Sequence, residues 1–218
     1  MTELEIPASI NGYDVGEIFL VDLYWVRDIT ILGTSSDIYL IGDFQVLETI
    51  TIDGPEYTSL TDHRTAIING SFDSLIGVDI KNTNRYNLYL SYYEYAENPD
   101  YFTIVDSLTP HYNFPLLETV TIADSFLNYV KIGDDNLGYA FPSLDTVSVS
   151  GSITGNFTLG EESNQFDKLS TVSFSNSNVS SVTISGSKDA LETPTALAIE
   201  DTTVSYDVSI SGSVIGSI

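Results

Sequence analysis

The sequence predicts a mainly β solenoid of about seven irregular coils with little helix. Three observations predict it: one nine-residue phrase recurs, its starts are spaced by roughly a coil's length of chain, and apolar residues alternate with polar ones within it. FPLLETVTI at 114–122 returns as FPSLDTVSV at 141–149 and as FDKLSTVSF at 166–174. A bulky apolar residue leads, and further apolar residues follow three, six and eight positions later.

Taken in chain order, the same offsets are met by Leu23, Val26, Ile29 and Ile31, then by Phe44, Leu47, Ile50 and Ile52, then by Phe72, Leu75, Val78 and Ile80. They continue with Phe114, Leu117, Val120 and Ile122; with Phe141, Leu144, Val147 and Val149; and with Phe166, Leu169, Val172 and Phe174. The last set is Leu191, Pro194, Leu197 and Ile199, in which only Pro194 fits poorly. Starts at 23, 44, 72, 114, 141, 166 and 191 lie 21, 28, 42, 27, 25 and 25 residues apart, and a period in the twenties suits one solenoid coil.

A second apolar pair follows several of these sets: Leu88 with Leu90, Val130 with Ile132, Phe157 with Leu159, and Val182 with Ile184. Ile38 with Leu40 and Val208 with Ile210 sit one residue off that spacing. Each coil is therefore expected to carry two short strands. Thr, Ser and Asp between the apolar residues give the period of two that turns one strand face inward and the other to water. Gly, Ser, Asn and Asp between strands, as in SGSITGN and SNSNVSS, are residues that tolerate tight bends. One coil cannot bury its own apolar rungs, so each covers its neighbour's, which explains the recurrence. An ordinary β-sandwich, with alternating strands at short spacing, is the competing architecture.

Composition bounds the partners. The chain has 218 residues, 42% of them hydrophobic, enough for a sizeable core. Against 7 Lys and Arg stand 31 Asp and Glu, a net charge of −24, which repels phosphate backbones and anionic lipid and argues against nucleic-acid and membrane-surface partners. Solubility is the simplest use of that charge; a cation or a basic partner is the sharper one. Cysteine is absent, so neither a disulfide nor a thiolate supports fold or catalysis. The opening MTELEIPASINGYDVGEIFLVD lacks the basic stretch and apolar run of a secretory signal peptide. No apolar run approaches the roughly 18 residues of a membrane-spanning helix, so no membrane insertion is expected.

The phrase Phe-x-x-Leu-x-x-Val-x-Ile, followed about ten residues on by a second apolar pair, resembles the bacterial BspA-like branch of the leucine-rich repeats; AFPSLDTVSV at 140–149, preceded by YVKIGDDNLGY, carries most of the likeness. The resemblance spans about residues 23–211. It implies a leucine-rich-repeat-like β-solenoid with a non-catalytic binding face, of the kind found on bacterial cell surfaces or in host attachment.

The 42-residue interval holds an insertion at about 85–113, with Tyr86, Tyr89, Tyr92, Tyr93, Tyr95, Tyr101 and Tyr112. Tyrosine offers a rigid apolar ring with a polar tip, and a loop on a rigid scaffold is a common place for recognition, so these seven are the candidate binding residues. Packing along a strand, with Tyr89, Tyr93 and Tyr95 alternating, is an equally weighted use of the same residues.

Chemistry has less support. His63 and His111 are the only histidines, Asp62 beside His63 does not make a triad, and no Ser stands in an elbow motif. No catalytic residue is assigned, although paired carboxylates between coils remain a route to glycoside cleavage. GDDN at 133–136 and GEES at 160–163 lack the ordered spacing of a calcium loop and read as turns. No cofactor or metal site is expected. Asn69, Asn156 and Asn178 lie in glycosylation sequons that matter only in a secretory pathway.

Residues 1–22 are expected to cap or anchor the solenoid and residues 23–218 to form it. Val208, Ile210, Val214, Ile215 and Ile218 in VSISGSVIGSI are apolar without a polar capping helix, so the C-terminal end is expected to support self-assembly or docking. The expected role is a non-enzymatic binding or structural module with a protein or glycan partner, on a virion or a cell surface. A stacking subunit of a capsid, tail or filament and a β-helical polysaccharide-degrading enzyme are the alternatives.

Overall fold

Short alternating runs rich in β-branched residues, such as TVTIA, TVSVS and TVSFS, form strands because one face can be buried while the other stays solvated. The computed structural model describes residues 3–7, 9–10, 13–14, 17–33, 37–54, 65–90, 114–133, 141–160, 166–186, 195–210 and 215–217. In chain order its strands are β1 (Glu3–Ile6), β2 (Ser9–Ile10), β3 (Tyr13–Asp14), β4 (Ile18–Val21), β5 (Asp28–Leu32), β6 (Ile38–Asp43) and β7 (Thr49–Asp53). There follow β8 (Thr65–Ser71), β9 (Gly77–Lys81), β10 (Asn84–Leu90), β11 (Thr119–Ala123), β12 (Phe126–Ile132) and β13 (Thr146–Ser150). The last are β14 (Ile153–Leu159), β15 (Thr171–Ser175), β16 (Asn178–Ile184), β17 (Thr195–Glu200), β18 (Thr203–Ile210) and β19 (Ile215–Ser217). Among the described residues there is no helix.

The odd-numbered strands other than β3 form one nine-stranded sheet, and the even-numbered ones from β4 to β18 form an eight-stranded sheet. Neighbours within both sheets are parallel, and the short pair β2–β3 is antiparallel. The chain alternates between the sheets, so each strand lies on the one a full coil earlier. That is a β-solenoid; a sandwich of antiparallel hairpins would pair consecutive strands instead. The regular part comprises about five turns, led by Phe44, Phe72, Phe114, Phe141 and Phe166, fewer than the roughly seven irregular coils the repeat predicts. The first and last sets start with Leu23 and Leu191, aliphatic residues that cannot extend a column of stacked rings.

Residues 1–22 contribute β1, which pairs with β5, and β4, which pairs with β6. Across the long interval β9 pairs directly with β11, and β10 with β12. The stack thus closes past residues 91–113, which lie outside the described residues.

The core lies between the sheets. On the nine-stranded side Ile29, Ile50, Val78, Val120, Val147, Val172 and Leu197 form one inward row, and Ile31, Ile52, Ile80, Ile122, Val149 and Phe174 a second. The eight-stranded side answers with Ile38, Ala66, Val130, Phe157 and Val182, and with Leu40, Ile68, Ile132, Leu159 and Ile184. At the corner entering the nine-stranded sheet the five Phe rings are fully buried and stack with centroids 4.8, 5.0, 5.1 and 6.2 Å apart. In each of these turns the N–H of the Leu three residues on donates to the Phe carbonyl, as Leu144 does to Phe141 at 3.3 Å. This turn explains why Phe and Leu are spaced by three. In the last coil burial weakens: Ile199, Val204 and Ile210 are half-buried, and Val208 is 37% exposed.

The opposite corner has a recurring chemistry of its own. Asn82, Asp124, Asn176 and Asp201 hold φ near +48°, and Gly151 holds +56°, each just after a strand of the nine-stranded sheet. Asn, Asp and Gly are the residues that enter this left-handed region most readily. The next residue in each coil is Thr83, Ser125, Ser152, Ser177 or Thr202, and these form a ladder. The N–H of Thr83, Ser125, Ser152 and Ser177 donates to the hydroxyl one coil on, at 3.1–3.3 Å. The hydroxyls of Ser125, Ser152, Ser177 and Thr202 donate to the carbonyl two residues back, at 2.7–2.9 Å. Buried main-chain groups at the bend are thereby satisfied.

Ser152→Ala removes the acceptor for the Ser125 N–H inside that ladder, and a stability loss of about 1–3 kcal/mol is expected. Ser152→Thr keeps the hydroxyl and should melt close to the unsubstituted chain; equal melting of the Ala variant would refute this role for the ladder. Thr154 shows the opposite case. It lies in register between Leu127 and Val179, is 1% exposed, and its Oγ1 has no hydrogen-bond partner. Thr154→Val keeps the shape and removes the orphaned hydroxyl, so a gain of about 1 kcal/mol is expected in urea unfolding. A lower midpoint would count against it.

Candidate functional site

Of the seven candidate tyrosines, the structure places the backbone of two. Tyr86 and Tyr89 lie on β10, and Tyr89 pairs in register with Ile67 of β8 and Lys131 of β12. Tyr92, Tyr93, Tyr95, Tyr101 and Tyr112 fall outside the described residues, as do His63 and His111.

The register carries the Tyr89 position into a longer row on the outer face of the eight-stranded sheet. Phe19 of β4 pairs with Tyr39 of β6, Tyr39 with Ile67, and Ile67 with Tyr89. The rings of Phe19 and Tyr39 stack with centroids 4.5 Å apart and planes 10° from parallel. Phe19 is 52% exposed, and Val21 on the same strand face is exposed too. Ile67 also occupies an outward position, outside the core cluster, yet is only 1% exposed. The local cause is in the sequence: IFLV at 18–21 and IYLI at 38–41 are apolar at every position, whereas most other strands alternate. Sequence reasoning passed over Phe19 and Tyr39 because it counted inward positions only; the unbroken apolar runs were the available signal.

A second exposed apolar group lies on the turns that carry the Phe stack. Tyr24 and Trp25 follow Leu23, and Trp25 is 62% exposed. Val46 and Leu116 hold the equivalent place two residues after Phe44 and Phe114 and are also exposed.

The outer face of the nine-stranded sheet differs. One row reads Asp28, Thr49, Gly77, Thr119, Thr146, Thr171 and Ala196, and the next Thr30, Thr51, Asp79, Thr121, Ser148, Ser173 and Ala198. Charges within these rows lie on the earlier coils, and the bordering column holds Arg27 and Glu48 on those and exposed Glu118 and Asp145 on the later ones. Lys81 Nζ lies 3.7 Å from Asp53 and 3.8 Å from Asp79. Arg27 grips Glu48 through Nε at 3.0 Å and Nη2 at 2.6 Å, and the hydrogen bonds and charge of that carboxylate raise the guanidinium pKa above its ordinary value. These pairs are exposed and contribute little to stability.

The described residues contain no group of three or more His, Asp or Glu placed to hold a metal ion. Of GDDN and GEES only Gly133 and Gly160 are described. Among the sequons, Asn156 is exposed on β14 and accepts a hydrogen bond from Ser181 Oγ at 2.9 Å, and Asn178 is exposed at the start of β16. What the described surface offers is therefore two extended faces, one with the stacked Phe19–Tyr39 pair and one with hydroxyl rows. Comparison with protein-family models, with curated proteins and with solved structures finds no match to this chain.

Proposed function

We propose that the chain is a non-enzymatic attachment module, of the kind its BspA-like resemblance implies, whose eight-stranded face engages a protein or glycan partner on a cell surface or virion. One observation carries the reading: the stack of exposed Phe19 on half-buried Tyr39 runs in register to the strand that opens the tyrosine-rich segment. Aromatic rings on a rigid sheet lose little entropy on binding and present a flat apolar body to a partner. On a chain of net charge −24, such a row suits a neutral or basic partner surface.

A glycan array read beside a reducing-sugar release assay tests the reading. Retention of glycans without product is expected, with Phe19→Ala/Tyr39→Ala and Tyr92→Ala/Tyr93→Ala each weakening retention at least tenfold while the circular dichroism stays unchanged. Sugar release would favour the polysaccharide-degrading alternative, and full retention by both double variants would remove the aromatic site.

A second reading, a stacking subunit that self-assembles through its C-terminal coil, draws on the exposure of Val208 beside half-buried Val204 and Ile210. Light scattering at rising concentration tests it; a constant monomer mass would dismiss it.

A further inference from the structure

We propose that the outer face of the nine-stranded sheet over β11, β13 and β15 is an ice-binding surface. Thr119, Thr146 and Thr171 form one in-register row there, and Thr121, Ser148 and Ser173 a second. Parallel strands lie about 4.8 Å apart and two residues advance about 6.6 Å, so the six hydroxyls occupy a near-rectangular lattice with those repeats. The oxygen rows on the faces of crystalline water repeat at closely similar spacings. A single sugar chain has no such two-dimensional repeat.

Two further observations bear on this region. A lattice match needs a flat face, and twist between neighbouring strands ordinarily runs to roughly 20–25°. Here the rings that lead the coils of β11, β13 and β15 lie 8° and 14° from parallel, less than that ordinary twist. The chain carries 31 acidic residues, yet TVTIA, TVSVS and TVSFS contain no ionisable side chain. A charged group orients water around itself and would break an ordered layer; the two hydroxyl rows carry none themselves, and exposed Glu118 and Asp145 stand at the border of the first row. Among the described residues the hydroxyls of Thr119, Thr121, Ser148 and Ser173 make no hydrogen bond, and those of Thr146 and Thr171 make only long lateral ones, at 3.3 Å to Asp145 and 3.4 Å to Ser170.

The test is partition of the purified full chain into a slowly growing ice front, with ice-crystal shaping read beside it. Several-fold enrichment in the ice fraction is expected. Ser148→Lys and Thr121→Lys, each a charge placed on the lattice, should both return to the exclusion shown by an unrelated acidic protein, with unchanged circular dichroism. Phe19→Ala/Tyr39→Ala lies on the other sheet and should partition like the unsubstituted chain, so this surface and the attachment face fail or stand separately. Exclusion of the unsubstituted chain from ice would overturn the inference, as would undiminished enrichment of both folded Lys variants. Retention on microcrystalline cellulose or chitin in place of ice would overturn it too, reassigning the face to a crystalline polysaccharide.

Discussion

Phe141→Ala is expected to lower stability by about 3–5 kcal/mol, the cost of emptying a fully enclosed aromatic site. The Phe141 ring is completely buried between Phe114 at 5.1 Å and Phe166 at 6.2 Å, with planes 8° and 14° from parallel. Truncation removes the ring's apolar burial and also two aromatic contacts worth roughly 0.5–1.5 kcal/mol each beyond area. The neighbours cannot close the gap, because both rings are fixed by turns whose Leu N–H groups bond the Phe carbonyls. A solenoid is coupled only through adjacent coils, so a defect at Phe141 also weakens the link between the coils before and after it. Urea unfolding should therefore show a lower midpoint and a broadened transition. Phe141→Leu retains most of the volume and should cost less than about 2 kcal/mol. A loss below about 1 kcal/mol for the Ala variant would mean that the ring column does not hold the coils together.

Gly155→Ala is the second large effect, and it acts through the main chain. Gly155 sits mid-strand on β14, facing Asn128 of β12 between the paired positions Leu127↔Thr154 and Tyr129↔Asn156. A Cβ at Gly155 would collide with the Asn128 carbonyl oxygen and lie 2.9 Å from its carbonyl carbon and 3.2 Å from its Cα. These are backbone atoms, so no rotamer change relieves the contact; the strands must separate, at the cost of ladder hydrogen bonds. A loss of about 3 kcal/mol or more is expected, at the upper end of overpacking. That corresponds to a fall in melting temperature of about 6–12 °C for a chain of this size. Gly77→Ala is the matched control, since its Cβ would meet only Thr119 Oγ1, at 3.3 Å, and alanine costs less backbone entropy than glycine. Equal melting of the two Ala variants would contradict this reading of Gly155.

Both sites bear on function, because an extended face works only while its coils stay in register. A coil displaced by a fraction of an ångström at Gly155 shifts Asn156 and Thr158 on the outer surface along with Phe157 and Leu159 inside. The attachment proposed for the eight-stranded face should therefore weaken in Gly155→Ala before the fold is lost.

Much of the architecture was legible in the chain. Inward positions such as Val120, Val147 and Val172 declare themselves by alternation, and the Phe-x-x-Leu spacing marks each entry turn. Other features were hidden by ordinary chemistry. Ser125, Ser152 and Ser177 read as turn residues, and nothing local distinguishes a solvated serine from one bonded to the next coil. Phe19 and Tyr39 were missed because outward residues are not constrained by the core and so follow no repeat. The repeat reads as about seven coils where about five turns are present, because the aliphatic residues leading the first and last sets keep the apolar pattern without a ring to stack.

The sequence by itself determined the strand faces, the coil period and the identity of the stacked rings, since burial demands apolar residues at fixed local spacing. Only the tertiary structure decided which residues meet across 20 or more positions of chain: the hydroxyl ladder at the corner, the Phe19–Tyr39 stack and the rows of Thr119, Thr146 and Thr171. Those neighbours are set by register between coils, and register arises from parallel hydrogen bonding and close packing of whole turns, which no single stretch of sequence contains.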